Sequence, residues 1–306
     1  MDNVFIIGLL QATLRMATPI LLAALGCLIA ERAGILNIGL EGQMLCGAFF
    51  GYLTVYFGGS LWLGMFAAGL SGVLLGLVFA YLTVTKLNNQ MIVGAAFNMF
   101  ALGITGFIYK AVVGVTGTTN TIPQFKVISI PLLSKIPIIG KLLFEQNILV
   151  YLTLLIVPVI WFVLWKTSYG YELRAIGEHP SAVDSLGIDV IKYKYIAVIL
   201  QGMLAAFGGA YLTLAYANAF VENLSAGRGF IAMAVVIFGS WNPFGALLGS
   251  LVFGFADAFQ MRMQSIGIAI PYHFMLMLPY VLTVLILAGF IKKAKPPAME
   301  TVPYKR

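Results

Sequence analysis

The segment Glu31-Arg32-Ala33-Gly34-Ile35-Leu36-Asn37-Ile38-Gly39-Leu40-Glu41-Gly42-Gln43 gathers two carboxylates, a guanidinium and three glycines between apolar flanks. Ionisable groups within a membrane sequence are expensive and mark ion or solute pathways. Glycine permits turns and close backbone approach. Glu41 stands where an apolar helix begins, at the positive end of its dipole. Two readings fit the segment: a structural turn in which Glu31 or Glu41 pairs with Arg32, or a gate on a solute path. Elsewhere the apolar runs carry few polar residues, chiefly Asn89, Gln90, Asn98 and Gln201. Amides both donate and accept, which suits hydroxyls and base edges, and Phe97 sets a ring beside Asn98. With Asn37, Glu41 and Gln43 these are the candidate pathway residues. The competing role for each is an interhelical hydrogen bond.

The elements that must position them are helices in a membrane. The 306 residues are 61% apolar and only 9% charged, against roughly 25% charged in soluble domains. No Asp, Glu, Lys or Arg occurs in 42–85, 87–109, 146–165, 195–221, 229–256 or 263–291. A helix needs about 20 mostly apolar residues to cross a bilayer core of about 30 Å. Membrane barrels instead alternate apolar and polar residues. The expected fold is therefore all-α and polytopic, a single transmembrane domain over 1–306. It has about nine spans, eight to ten in all, near 8–30, 38–57, 62–84, 91–113, 147–166, 195–217, 229–241, 244–262 and 272–291. Arg15 and Pro19 interrupt the first. Residues 4–15 are expected along the interface, with a short inserted helix after Pro19. Met1-Asp2-Asn3 lacks a basic region, so no removable signal peptide is expected.

The net charge of +7 fits the excess of Lys and Arg in cytoplasmic loops better than it fits nucleic acid. That rule places 166–194, with Lys166, Arg174, Lys192 and Lys194, and the basic tail 292–306 in the cytoplasm. It places 114–146 and the N-terminus outside. A faint internal repeat pairs the Glu31–Gly34 turn with the turn Glu222-Asn223-Leu224-Ser225-Ala226-Gly227-Arg228-Gly229, each between apolar helices. In this topology the two turns face opposite sides, the inverted repeat that transporters build around a midplane site. Asp257 and Arg262 are expected to pair at the outer boundary.

Within 166–194, Glu172, Arg174, Glu178, His179 and Asp184 alternate with Leu173, Ile176, Ala182, Val183 and Leu186. Pro180 can open a short helix, and Ala182, Val183 and Leu186 make an apolar stripe that ends at Gly187. Such a helix docks a cytoplasmic partner or lies on lipid. Cys27 and Cys46 read as small buried apolar residues, and His179 and His273 lie too far apart for a metal site. The sparse acids and absent nucleophile–base pairs argue against an ion-coupled transporter and a membrane enzyme. No Gly-x-x-x-x-Gly-Lys-Ser/Thr occurs.

The Glu31–Gln43 segment, with Thr18-Pro19-Ile20-Leu21-Leu22-Ala23-Ala24-Leu25-Gly26 before it, resembles permeases of bacterial ABC importers of the nucleoside type. Their superfamily also holds ribose-type and branched-chain amino-acid permeases. Three more blocks agree in order: Asn89 to Asn98 followed by Ala101-Leu102-Gly103, Arg174 to Ala182 followed by Gly187-Ile188, and Gly227 to Ala232 through Phe238 to Pro243. The resemblance covers nearly the whole chain. It implies a permease for a small polar solute, most simply a nucleoside; the alternatives are a monosaccharide such as ribose, or branched-chain amino acids. It implies a bacterial inner-membrane protein that is not an enzyme and carries no cofactor of its own. ATP and Mg would sit on a cytoplasmic ABC ATPase. The other partners implied are a second permease subunit, as a heterodimer, and an extracytoplasmic solute-binding protein. Glu172, Arg174, Gly177, Glu178, Pro180, Ala182, Asp184 and Gly187 would then form the ATPase-coupling segment.

Overall fold

The charge-free stretches form helices, because a backbone in lipid must satisfy its polar groups within itself. The computed structural model describes residues 3–114, 120–129, 144–265, 277, 281 and 295–305. In chain order, α1 is Asn3–Arg32 and α2 is Leu40–Tyr56. Helix α3, Leu61–Ala80, runs on as a π-helical turn, Tyr81–Thr85. Next come α4, Gln90–Val113, and two short strands, β1 (Val127–Ser129) and β2 (Glu145–Asn147). After them stand α5 (Ile148–Lys166), α6 (Ser168–Glu178) and α7 (Pro180–Ser185). Helix α8, Val190–Tyr211, also ends in a π-helical stretch, Leu212–Ala217. The last described helices are α9, Arg228–Phe238, and α10, Pro243–Ser265.

Six of these are long and apolar enough to cross a membrane: α1, α3, α4, α5, α8 and α10. Among the described residues the expected count of nine is not confirmed. The expected span 38–57 is the 17-residue α2, and 229–241 is the 11-residue α9. At about 1.5 Å per residue, α9 is roughly 16 Å long, half the thickness of a bilayer core. It stops because Ser240 and Trp241 both take left-handed backbone angles, with φ of 52° each, just before Pro243. The span expected at 272–291 lies outside the described residues.

The first helix is also corrected. Instead of an interfacial stretch and an inserted helix, α1 is one helix of 30 residues with Pro19 inside it. Proline there removes a backbone donor. The Thr18 hydroxyl donates to the Leu14 carbonyl at 2.7 Å beside this gap, and Arg15 Nε donates to Gln146 Oε1 at 3.0 Å.

Helices α1 and α8 form the inside of the molecule, 89% and 72% buried along their apolar windows, whereas α4 is 22% buried. Small residues allow the inner helices to touch. A Cβ on Gly72 of α3 would stand 2.2 Å from the Gly202 carbonyl of α8, and one on Gly209 would stand 1.8 Å from the Met44 carbonyl of α2. At one end of the bundle, β1 and β2 pair antiparallel with Ile128 opposite Gln146. There the Ile122 and Phe125 amides donate to the Asn218 and Leu214 carbonyls at 2.8 and 2.9 Å. At the other end Gly34, Gly177 and Met299 meet.

Candidate functional site: a junction of two interrupted helices

Between α1 and α2 the chain is not helical. It turns at Gly34, φ 78°, and re-enters the bundle. Its backbone groups need partners, and amide side chains supply them. Gln90 Oε1 accepts from the Leu36 amide at 2.8 Å. Asn98 straddles the segment: its Nδ2 donates to the Ile38 carbonyl at 3.0 Å and its Oδ1 accepts from the Gly42 amide at 2.8 Å. Asn37 Oδ1 accepts from the Gly39 amide at 2.8 Å, and its Nδ2 donates to Gln201 Oε1 at 3.3 Å. Glycine is required for this fit, since a Cβ on Gly39 or Gly42 would come within 2.9 or 2.8 Å of Asn37 Oδ1 or the Phe97 carbonyl.

The second interruption follows α8. Residues 218–227 turn through left-handed positions at Asn218, Asn223, Ala226 and Gly227 before α9 begins. The two interruptions meet at Glu41. Its Oε1 accepts from the Gly227 amide at 2.7 Å and its Oε2 from the Gly229 amide at 2.6 Å. A carboxylate thus fills the N-terminal donors of α9, where its charge also opposes the helix dipole. Gly229 admits no larger residue, because a Cβ there would stand 2.6 Å from the Glu41 backbone. Beside it Arg228 Nη2 faces Asp257 Oδ2 at 3.9 Å. Asp257 therefore finds its counter-charge on α9, while Arg262 stacks over Phe5, 5.2 Å from the ring centre.

The far end of α9 is fixed to the other end of the same segment. Trp241 Nε1 donates to Glu31 Oε2 at 2.6 Å, and Cys27 Sγ to Glu31 Oε1 at 3.0 Å. Arg32 donates from Nε and Nη2 to the Trp241 carbonyl at 3.1 and 2.9 Å. Neither expected pairing of a glutamate with Arg32 forms the core of the turn; each carboxylate instead holds one end of α9. These contacts hold Ser240 and Trp241 in a conformation that costs a non-glycine residue about 1–2 kcal/mol.

Six of the pathway candidates, Asn37, Glu41, Gln43, Gln90, Asn98 and Gln201, converge on this segment. Gln43 and Gln201 are fully buried. Phe97 packs edge-on against Phe79 at 5.7 Å. Asn89 stands apart: it is exposed and caps α4, accepting from the Met91 and Ile92 amides at 2.9 and 3.2 Å. Sequence reasoning did not give Glu31, Trp241, Gly227 and Gly229 their roles. The signal lay in the glycine-rich run before α9 and in Trp241-Asn242-Pro243 after it, whose partners are some two hundred positions away.

The coupling candidates form a second cluster, at the Arg32 end. Helix α6 carries Glu172, hydrogen-bonded to the Tyr193 hydroxyl. It also carries Arg174, which stacks on Trp165 and Tyr171 at 5.2 and 5.0 Å. Arg32 covers the same Trp165 ring at 5.4 Å. Gly177 lies so close to α1 that a Cβ would stand 2.2 Å from the Arg32 carbonyl. Pro180 opens α7 as its first residue. The expected stripe is divided: Val183 is buried, but Ala182 is exposed and Leu186 is 78% exposed. Gly187 closes the turn at φ 83° with open space around it. Asp184 is partly buried and Glu178 exposed.

A bundle with six helices long and apolar enough to cross a membrane, two interrupted helical segments joined at Glu41 and an amphipathic loop at one end define a multi-pass membrane protein. Residues 9–287 match the family described as the permease component of the branched-chain amino acid transport system, and the chain belongs to that family of ABC transporter permeases. It is 40% identical to the guanosine ABC transporter permease NupQ of Bacillus subtilis, over 99% of this chain and 98% of NupQ. It is 39% identical to the nucleoside ABC transporter permease NupC of Lactococcus lactis, over 94% of this chain and 93% of NupC. It is 40% identical to TsgC13 of Haloferax volcanii, provisionally assigned to glucose ABC transport, over 87% of this chain and 80% of that one. Among solved structures, an inward-facing ABC transporter provisionally assigned to the metal-chelate type shares the fold. Its TM-score is 0.51 at 13% identity, over 92% of this chain and 85% of that one.

Proposed function

We propose that the chain is the permease subunit of an ATP-driven nucleoside importer in a bacterial inner membrane. The observation that carries this reading is the near end-to-end likeness to a guanosine permease, 40% identical over 99% of the chain. The junction supports it. Interrupted helices inside a membrane place helix ends and irregular backbone where a solute passes, and amide side chains line the segment 36–42 that carries Glu41. Helix α7, with Leu186 bare, docks on a cytoplasmic ABC ATPase that binds ATP and Mg. The end of the bundle at Arg32 and Gly177 faces the cytoplasm, and the end with β1 and β2 faces outward, where a solute-binding protein delivers cargo. The second permease subunit is a different chain. Glu172, Arg174, Gly177, Glu178, Pro180, Ala182, Asp184 and Gly187 shape the dock or its hinges.

The test is uptake of labelled guanosine into proteoliposomes that hold this chain, its companion permease and the ATPase, with binding protein added. ATP-dependent accumulation that ignores an ionophore is expected. Accumulation that follows an ion gradient and persists without ATP would sink the proposal. TsgC13 motivates a second reading, a sugar permease, which predicts that glucose and not guanosine is accumulated.

A further inference from the structure

The C-terminal tail is expected to be basic and cytoplasmic, and its residues 295–305 pack against the end of the bundle where Gly34 and Gly177 meet. Pro297 is buried. The Met299 amide donates to the Gly177 carbonyl at 2.9 Å, and the Ala298 amide to Glu178 Oε2 at 3.3 Å. The Met299 carbonyl lies against the re-entrant turn: a Cβ on Gly34 would stand 3.0 Å from it and 3.6 Å from Gly177 Cα. Tyr304 packs on Ile176, Val183 and Val190, which belong to α6, α7 and the start of α8. The tail also folds on itself, with the Glu300 amide on the Pro297 carbonyl at 3.1 Å and the Val302 amide on the Met299 carbonyl at 3.2 Å.

One short stretch therefore touches both the apolar cluster that holds α7 through Val183 and the turn that starts the re-entrant segment. A solvated tail would need neither a buried proline nor a tyrosine packed against an apolar cluster. The main-chain hydrogen bond from Met299 to Gly177 gives it a fixed register, because Gly177 is itself packed against Arg32.

We propose that residues 297–304 are a transmission strap that binds α7 and the Gly34 turn into one body, so that a push on α7 reaches Ile35–Gly42. The strap rests on the reading of α7 as the ATPase dock. Its role is distinct from docking: it carries displacement inward to the segment that Glu41 joins to α9. Packed and hydrogen-bonded chains of this kind carry coupling between sites.

The test compares the complete chain with one ending at Ala294, each assembled with its companion permease and ATPase in proteoliposomes. Copurification of the ATPase, ATP hydrolysis and guanosine uptake are measured together. The shortened chain is expected to retain the ATPase and hydrolyse ATP, while uptake per ATP hydrolysed falls about tenfold. Met299→Pro, which deletes the donor to Gly177, and Tyr304→Ala, which removes the apolar anchor, are expected to lower the same ratio. They decide the matter if the shortened chain fails to insert. An unchanged ratio in the variants overturns the strap. So does loss of the ATPase from the complex, which would make these residues part of the dock. Absence of ATP-driven uptake by the complete chain would instead be a failure of the functional reading.

Discussion

The Glu41 junction and helix α7 are built on opposite plans. At the junction each carboxylate oxygen of Glu41 holds a backbone amide, and glycines bring the chains to contact distance. At α7 only Pro180 and Val183 are buried, while Leu186 just after the helix stands 78% exposed and Gly187 has nothing near it. The junction is finished by its own chain; α7 is unfinished without another. A change at the junction should therefore register in the isolated subunit, and a change at α7 only when the partner is present.

The largest effect that separates the two is expected from Gly187→Arg. It should abolish ATP-driven uptake while membrane insertion persists and the subunit loses only the about 1–2 kcal/mol that a non-glycine residue costs at φ 83°. Normal uptake by this variant would remove the docking role of the loop. Next comes Glu41→Ala, which orphans two amides at about 1–3 kcal/mol each. Uptake and the unfolding midpoint in detergent should fall together; a normal midpoint would show that the junction is not held as described. Asn98→Ala strips two bonds from the re-entrant segment and should destabilise the subunit by about 1–3 kcal/mol. Gly103→Ala, on the same helix in open space, should change nothing measurable, and a matching loss there would void the comparison.

The smallest effect concerns pH. Burial pushes the Glu300 carboxyl above its usual value. The docked strap thus binds a proton more tightly than a free tail does. Docking is strongest at acid pH, below the usual carboxylate value, and weakens as pH rises through Glu300's raised value. Protease protection of the tail should follow that course in the native chain and lose its pH dependence in Glu300→Gln. Protection that grows with pH would contradict the burial.

Much of this architecture could be read along the chain, because a charge-free run of twenty residues has few alternatives to a helix in lipid. Pro180 at the start of α7 and the glycines beside Glu31 were equally local. What escaped was non-local. Pro19 looked like a break, but the buried packing of α1 tolerates it. Residues 229–241 looked like a span, yet the left-handed pair Ser240 and Trp241 ends the helix early. Asn98 and Gln90 were visible as amides; that they stand in for missing helical partners of Leu36, Ile38 and Gly42 depends on a fold that periodicity does not contain. The bond from Glu41 to Gly229 joins residues 188 positions apart, and nothing in either neighbourhood names the other.

Helix α9 is fastened at both ends to one continuous stretch, at Glu41 on one side and at Glu31 and Arg32 on the other. A bar pinned twice to the same frame can swing with the frame but cannot slide along it. Any displacement of residues 31–41 must therefore carry α9 with it as one piece.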